Sequence, residues 1–170
     1  MSMKLKAGDA LPSVGLRATD GYLLNLRSFV TKQPALLLFF GAPTHTGAAR
    51  RRGAKAVDAL SAGHERLREA GIAVAGVSCD SEQQQADFVA ARELPFLLLS
   101  DERRSAVRML GVETVADGEN VNVAQPVAIA VDRDGIIRAV IDPVEPDALV
   151  DMAMRALSEP IPAATEDASA

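Results

Sequence analysis

An apolar run at residues 35–40, with no polar residue in it, narrows the choice of fold more than any other segment. The run reads Ala-Leu-Leu-Leu-Phe-Phe, and this pattern is typical of a central strand that is covered on both faces. Residues 41–46 end the strand, and Thr46 is a candidate N-cap for a helix over about 47–70. We therefore expect a buried strand, a polar turn and a helix, in that order.

The rest of the chain continues this alternation. Apolar runs at 72–77 and 127–131 predict two more buried strands. The other expected elements are a hairpin over 14–27, helices over 81–93, 101–110 and 143–157, a strand over 96–99, a loop or flap over 113–124, and an antiparallel return over 136–141. Gly63 is expected to kink the first long helix, and the last helix is expected to bury Leu149, Met152, Ala153 and Leu157. Together these elements indicate a three-layer α/β fold with a mixed sheet.

Composition limits the functions that such a fold can serve. The 170 residues are expected to form one domain over 1–158, followed by a disordered acidic tail over 159–170. A net charge of −5 and a pI near 5.0 argue against binding to nucleic acids or anionic membranes. With no apolar stretch long enough for a bilayer and no leader-like start, we expect a cytoplasmic protein.

Cysteine and histidine are too sparse for common metal or disulfide sites. Cys79 is the one cysteine, which excludes an intrachain disulfide and a Cys-x-x-Cys pair. His45 lacks companions for a metal site, and His64 is expected to be a packing residue of its helix. We therefore expect neither a metal nor another cofactor.

Several short motifs in this order resemble the peroxiredoxin branch (alkyl hydroperoxide reductase / thiol-specific antioxidant) of the thioredoxin-like superfamily. The resemblance implies a thioredoxin-like three-layer α/β/α sandwich with an N-terminal hairpin. It also implies thiol-dependent peroxidase activity. The motifs are Gly-Asp-Ala-Leu-Pro at 8–12, Thr-Asp-Gly at 19–21, Val-Ala-Gly-Val-Ser-Cys-Asp-Ser at 74–81, Leu-Pro-Phe-Leu-Leu-Leu-Ser-Asp at 94–101, and the Val-Asp to Ile-Arg hairpin at 131–138.

The active-site segment departs from that family's Pro-x-x-x-Thr-x-x-Cys motif. Thr46, Gly47 and Ala48 are followed by Ala49, which stands where the family has its peroxidatic cysteine. Pro43 precedes the threonine by three residues instead of four. A methyl group cannot replace the thiolate that attacks a peroxide.

The family's distant arginine is also missing. Aligned from the 131–138 hairpin, that arginine falls on Pro126, which follows Gln125. Pro126 resembles instead the cis-proline of thioredoxins, which faces the redox loop.

Two other features are candidates for function. Arg50, Arg51 and Arg52 lie in the first turn of the helix predicted over about 47–70. They could hold a small anion at that helix start, together with His45, Gly47, Ala48, Gln125 and Pro126. Alternatively, they pair with acids such as Asp58 and Glu69. The resemblance implies that the strand ending at Cys79 lies beside the 35–40 strand, with both carboxyl ends at the ligand-binding edge of the sheet. There Cys79 is either a relocated redox thiol or an inert residue.

Three hypotheses follow. In the first, the chain is redox-inactive and binds a small anion, a second copy of itself or another protein. In the second, it is a thiol peroxidase, either with its cysteine replaced at Ala49 or with Cys79 as the working thiol. In the third, Thr46, His45 and the arginines act on a small acid without redox chemistry.

Overall fold

In a computed structural model of the chain, the structure describes residues 4–41, 48–117 and 120–158, without the side chains at 48–50 and 117–122. The predicted tail at 159–170 lies outside these residues. The strands are β1 (Gly15–Ala18), β2 (Leu23–Asn25), β3 (Ala35–Phe39), β4 (Ala73–Ser78), β5 (Leu97–Ser100), β6 (Thr114–Asp117), β7 (Asn120–Val123), β8 (Val127–Val131) and β9 (Ile137–Ile141). The helices are α1 (Leu26–Lys32), α2 (Ala48–Ala62), α3 (His64–Glu69), α4 (Glu82–Arg92), α5 (Ser105–Leu110) and α6 (Pro146–Ser158).

The expected three-layer α/β architecture is confirmed. Seven strands form one mixed sheet in the order β2-β1-β5-β4-β3-β8-β9, and β6 and β7 form a separate hairpin. β3 pairs in parallel with β4 and antiparallel with β8, so β3 is central. None of the helices in the described residues has the length and hydropathy needed to cross a lipid bilayer.

The burial of β3 on both faces explains why polar and apolar residues do not alternate in the apolar run at 35–40. Leu37 and Phe39 pack into the core on one face of the sheet, beneath α1 and α5. Leu36 and Leu38 pack into the core on the other face, with residues of α2, α4 and α6. Since both faces are covered, every position in the strand must be apolar.

Some expected elements differ in the structure, and the helix predicted over 101–110 begins only at Ser105. The strand that was predicted to continue to Arg27 ends at Asn25, whose side chain accepts the backbone N–H groups of Arg27 and Ser28 at 2.9 and 3.2 Å and so caps α1. The predicted flap over 113–124 is the β6–β7 hairpin, in which Thr114 pairs with Val123.

The last helix also differs in its start and its buried face. It begins at Pro146 instead of 143. Leu149 and Ala153 are buried as predicted, but Met152 is 40% exposed and Val150 takes the inward position. Ser81 caps α4 as predicted, through a reciprocal capping box with Gln84.

Gly63 lies between α2 and α3, so the single helix predicted over about 47–70 with a kink at this residue is two separate helices. A Cβ atom at this position would lie 2.5 Å from Val150 Cγ2, so the glycine lets α6 approach. We expect Gly63→Ala to lower the free energy of unfolding by about 1–3 kcal/mol through overpacking. Urea denaturation of this variant, of Val150→Ala and of the double variant measures the effect. The double variant should lose less free energy of unfolding than the sum of the losses in the two single variants, because Val150→Ala makes room for the new methyl group.

Candidate functional site

The strand pairings bring the predicted site segments to one edge of the sheet. Phe39, at the carboxyl end of β3, pairs with Val77 of β4 and with Val127 of β8. The Phe40 N–H donates to the Val77 carbonyl at 3.1 Å. Residues 78–80 and 125–126 therefore lie beside the turn that follows β3, which is where open α/β sheets bind ligands.

The start of α2 carries part of the predicted site. His45, Thr46 and Gly47 lie outside the described residues, so the capping role of Thr46 stays a prediction. Ala48, Ala49 and Arg50 form the first turn of α2, of which the structure describes the backbone.

The next two arginines face solvent. Arg51 and Arg52 are exposed, and neither makes an ion pair with another described residue. Asp58, one of the expected partners, instead accepts a hydrogen bond from Arg92 Nη1 at 2.5 Å. The two positive charges near the amino end of a helix are therefore uncompensated within the described part of the chain.

Pro126 does not have the geometry of a thioredoxin cis-proline. Among the described residues, the cis peptide bond precedes Pro143, and the bond between Gln125 and Pro126 is trans. Gln125 is exposed and Pro126 is buried. The resemblance of Pro126 to the thioredoxin cis-proline therefore does not extend to its peptide bond.

A buried polar cluster lies at the ends of β4 and β5, and sequence reasoning missed it. Its members, each at most 9% exposed, are Ser78, Asp80, Gln85, Ser100 and Asp101. Gln85 Nε2 donates to Ser78 Oγ and to the Leu99 carbonyl, both at 2.8 Å. Ser78 Oγ in turn donates to Asp80 Oδ2 at 2.7 Å.

Asp101 connects this cluster to α5. Its carboxylate accepts the backbone N–H groups of Ala106 at 3.1 Å and Val107 at 2.9 Å. Burial raises the pKa of the Asp101 carboxyl, and the backbone hydrogen bonds and the charge of Arg104 oppose this shift without cancelling it. Asp101 is therefore a buried acid that serves as the amino-terminal cap of a short helix.

Cys79 lies beside this cluster in a half-buried position. Burial and the neighbouring Asp101 raise the pKa of its thiol from 9.0 to about 12, with a smaller contribution from Asp80 and an opposing one from Arg104. Activated cysteines have the opposite surroundings, with cations or a helix amino terminus nearby. This environment favours a neutral and unreactive thiol.

His64 packs as predicted, with its ring 6.2 Å from that of Phe96 between centroids. In the described segments, no group of three or more His, Cys, Asp or Glu side chains is arranged to hold a metal ion.

Comparisons with known proteins agree with the fold and the motifs. A model of the AhpC/TSA family matches residues 7–140. Peroxiredoxin Bcp of Escherichia coli (strain K12) is 29% identical over 140 residues, which cover 81% of this chain and 86% of that protein. The chloroplastic peroxiredoxin Q of Populus jackii is 32% identical over 109 residues, or 64% of this chain and 48% of that protein. The crystal structure of peroxidoxin BcpB from Mycobacterium tuberculosis superposes with a TM-score of 0.77 at 22% identity, covering 91% of this chain and 97% of that one.

Proposed function

Since the chain belongs to the AhpC/TSA family but has Ala49 where the motif requires cysteine, we propose that it is a redox-inactive member that acts by binding. The observation that carries this proposal is Ala49 at the motif's cysteine position. Cys79, the one thiol in the chain, is half-buried beside Asp101, and both burial and that carboxylate raise its pKa. Both peroxide reduction and disulfide exchange begin with a thiolate.

The size of the pKa shift at Cys79 supports the proposal that the chain is redox-inactive. Burial and the Asp101 carboxylate raise the pKa of Cys79 to about 12, far above pH 7, so the protonated thiol is the dominant form. The two carboxylates beside it would also repel the negative charge that develops during attack on a peroxide. Cys79 is therefore a poor substitute for a missing nucleophile.

The vacated start of α2 is the binding site that we propose. The first turn of a helix presents free backbone N–H groups, and the exposed Arg51 and Arg52 have no ion-pair partner among the described residues. These groups suit a small carboxylate or phosphate. The other class of partner that we propose is a protein, either a second copy of this chain or a different one. We propose that the protein acts in the cytoplasm.

A peroxide-consumption assay with dithiothreitol as reductant tests the loss of redox function. We expect the unmodified protein and Cys79→Ser to show the same background rate. Ala49→Cys tests whether the surrounding site is intact, and it is expected to stay at background because the distant arginine is also absent.

Other results would change the assignment in distinct ways. Turnover in the unmodified protein that is lost in Cys79→Ser would overturn the proposal and make Cys79 the working thiol. Turnover in Ala49→Cys alone would mean that the site retains peroxidase geometry around a missing sulfur atom.

A further inference from the structure

We propose that a cavity beside α5 binds a small organic acid through the guanidinium groups of Arg104 and Arg108. The cavity has a volume of about 210 Å³ and is lined by these two arginines and by Val107, Val112 and Thr114. It shares no residue with the start of α2, so its test does not depend on the redox state of the protein.

The charged residues that the structure describes around this cavity are both arginines. Within the described part of the chain, neither arginine makes an ion pair or a side-chain hydrogen bond, and none of the described residues that line the cavity is acidic. The carboxylate that influences Arg104, that of Asp101, is buried and already accepts the N–H groups of α5. Two guanidinium groups with free donors are the arrangement that recognises a carboxylate.

The size of the cavity and the residues at its base indicate what kind of body the acid carries besides its carboxylate. Val107 and Val112 are 2% and 7% exposed, so the floor is apolar and firmly packed. Thr114, which also lines the cavity, is its one uncharged polar residue in the described part of the chain. A volume of about 210 Å³ is below that of drug-sized ligand sites, so an acid with a short aliphatic body fits better than a nucleotide.

The backbone at Arg104 is a separate indication that its side chain has a role. This residue precedes α5 with φ 60° and ψ 27°, in the left-handed region that glycine adopts without strain. Its N–H donates to the Asp101 carbonyl at 2.8 Å, which holds the tight turn. An arginine at a position suited to glycine costs conformational energy, and such residues concentrate at functional sites.

Nuclear magnetic resonance titration of the full chain tests the proposal directly. Isobutyrate is the probe, because it combines one carboxylate with a branched aliphatic body. We expect saturable shifts of the amide signals around residues 104–114. Isobutyramide, which has the same shape without the charge, and inorganic phosphate, which has charge without an apolar body, should each bind at least about 5-fold more weakly.

Point variants assign the binding to the two arginines. Arg104→Gln and Arg108→Gln should each weaken isobutyrate binding at least about 5-fold. Arg103→Gln is the matched control, because Arg103 is an exposed neighbour outside this cavity. It should bind isobutyrate as the parent protein does. Equal weakening in all three variants, or tighter binding of phosphate, would overturn the proposed site or its ligand class.

Arg104→Gly separates a binding role from a structural one. The glycine removes the guanidinium group and relieves the strain at positive φ, so we expect binding to be lost while Tm rises by about 2–4 °C. A fall in Tm would mean that Arg104 stabilises the fold, and the proposal would then fail. No saturable shift with isobutyrate in the parent protein would overturn it as well.

Discussion

Dipyridyl disulfide is expected to react with Cys79 in the folded protein at least about 30-fold more slowly than in the urea-unfolded chain at pH 8. At that pH a thiol of pKa 9.0 is about one-tenth thiolate, whereas one of pKa about 12 is roughly a thousand-fold less ionised. Per thiolate, the higher pKa speeds attack by roughly 20- to 30-fold, because nucleophilicity rises with basicity. The ionisation effect is larger, so the net result is slow reaction.

The measurement is stopped-flow absorbance of the released thiopyridone. A double variant, Cys79→Ser with Ser28→Cys, supplies the control, because Ser28 is exposed on α1 and a thiol there should react nearly as fast as in the unfolded chain. If folded Cys79 reacted as fast as this control, the thiol would be available as a thiolate and the redox-inactive assignment would lose its main support.

The central strands were predictable because burial on both faces leaves a local signature. Residues 35–40, 72–77 and 127–131 are continuous apolar runs, and each contains a strand of the sheet. The helix over 26–32 was missed because Leu24 and Leu26 alternate with polar residues just as a strand does. Asn25 decides the outcome through its cap, and no short-range pattern distinguishes a capping asparagine from one that faces solvent in a strand.

The β6–β7 hairpin had a sequence signal that we did not use. Asp-Gly at 117–118 follows Thr-Val-Ala and precedes the alternating Asn-Val-Asn-Val at 120–123, and Asp-Gly between two strand-forming stretches is typical of a tight hairpin. The charged residues around it favoured a loop instead.

The buried polar cluster could not be predicted for a different reason. Ser78, Asp80 and Asp101 follow apolar runs and have the composition of solvent-exposed turns. Their burial depends on α4 and α5 folding back over the strand ends. That packing is a tertiary effect, and it also raises the pKa of Cys79, so the sequence showed the thiol but not the burial and the carboxylate around it.

Asp101→Ala is expected to lower the free energy of unfolding by about 3 kcal/mol. The substitution leaves the N–H groups of Ala106 and Val107 without acceptors in a buried site, and each such loss costs about 1–3 kcal/mol. Asp101→Asn keeps one acceptor oxygen and should cost about half as much. Thermal and urea denaturation measure both variants. Glu102→Ala is the control, because this neighbouring acid is exposed and should change stability by less than about 0.5 kcal/mol.

The pH dependence of these variants follows from the direction of the pKa shift. Because burial raises the pKa of Asp101 above 3.8, the folded protein binds this proton more tightly than the unfolded chain does. The contribution of Asp101 to stability therefore falls as pH rises from 3.8 through the folded pKa. The loss in free energy of unfolding caused by Asp101→Asn, relative to the parent protein, should accordingly be larger at pH 4 than at pH 7. A smaller loss at pH 4 would mean that the helix amides outweigh burial and hold the pKa low.

The same substitution links the stability of α5 to the chemistry of the thiol. The Asp101 charge raises the pKa of Cys79, so Asp101→Asn should lower that pKa and speed the reaction with dipyridyl disulfide in the protein that remains folded. Cys79→Ser, by contrast, should leave the cap on α5 and its stability nearly unchanged. If Asp101→Asn destabilised the protein without speeding the thiol, burial alone would account for the raised pKa of Cys79. If both changes occurred together, one buried carboxylate would be responsible for fixing α5 and for keeping the thiol protonated.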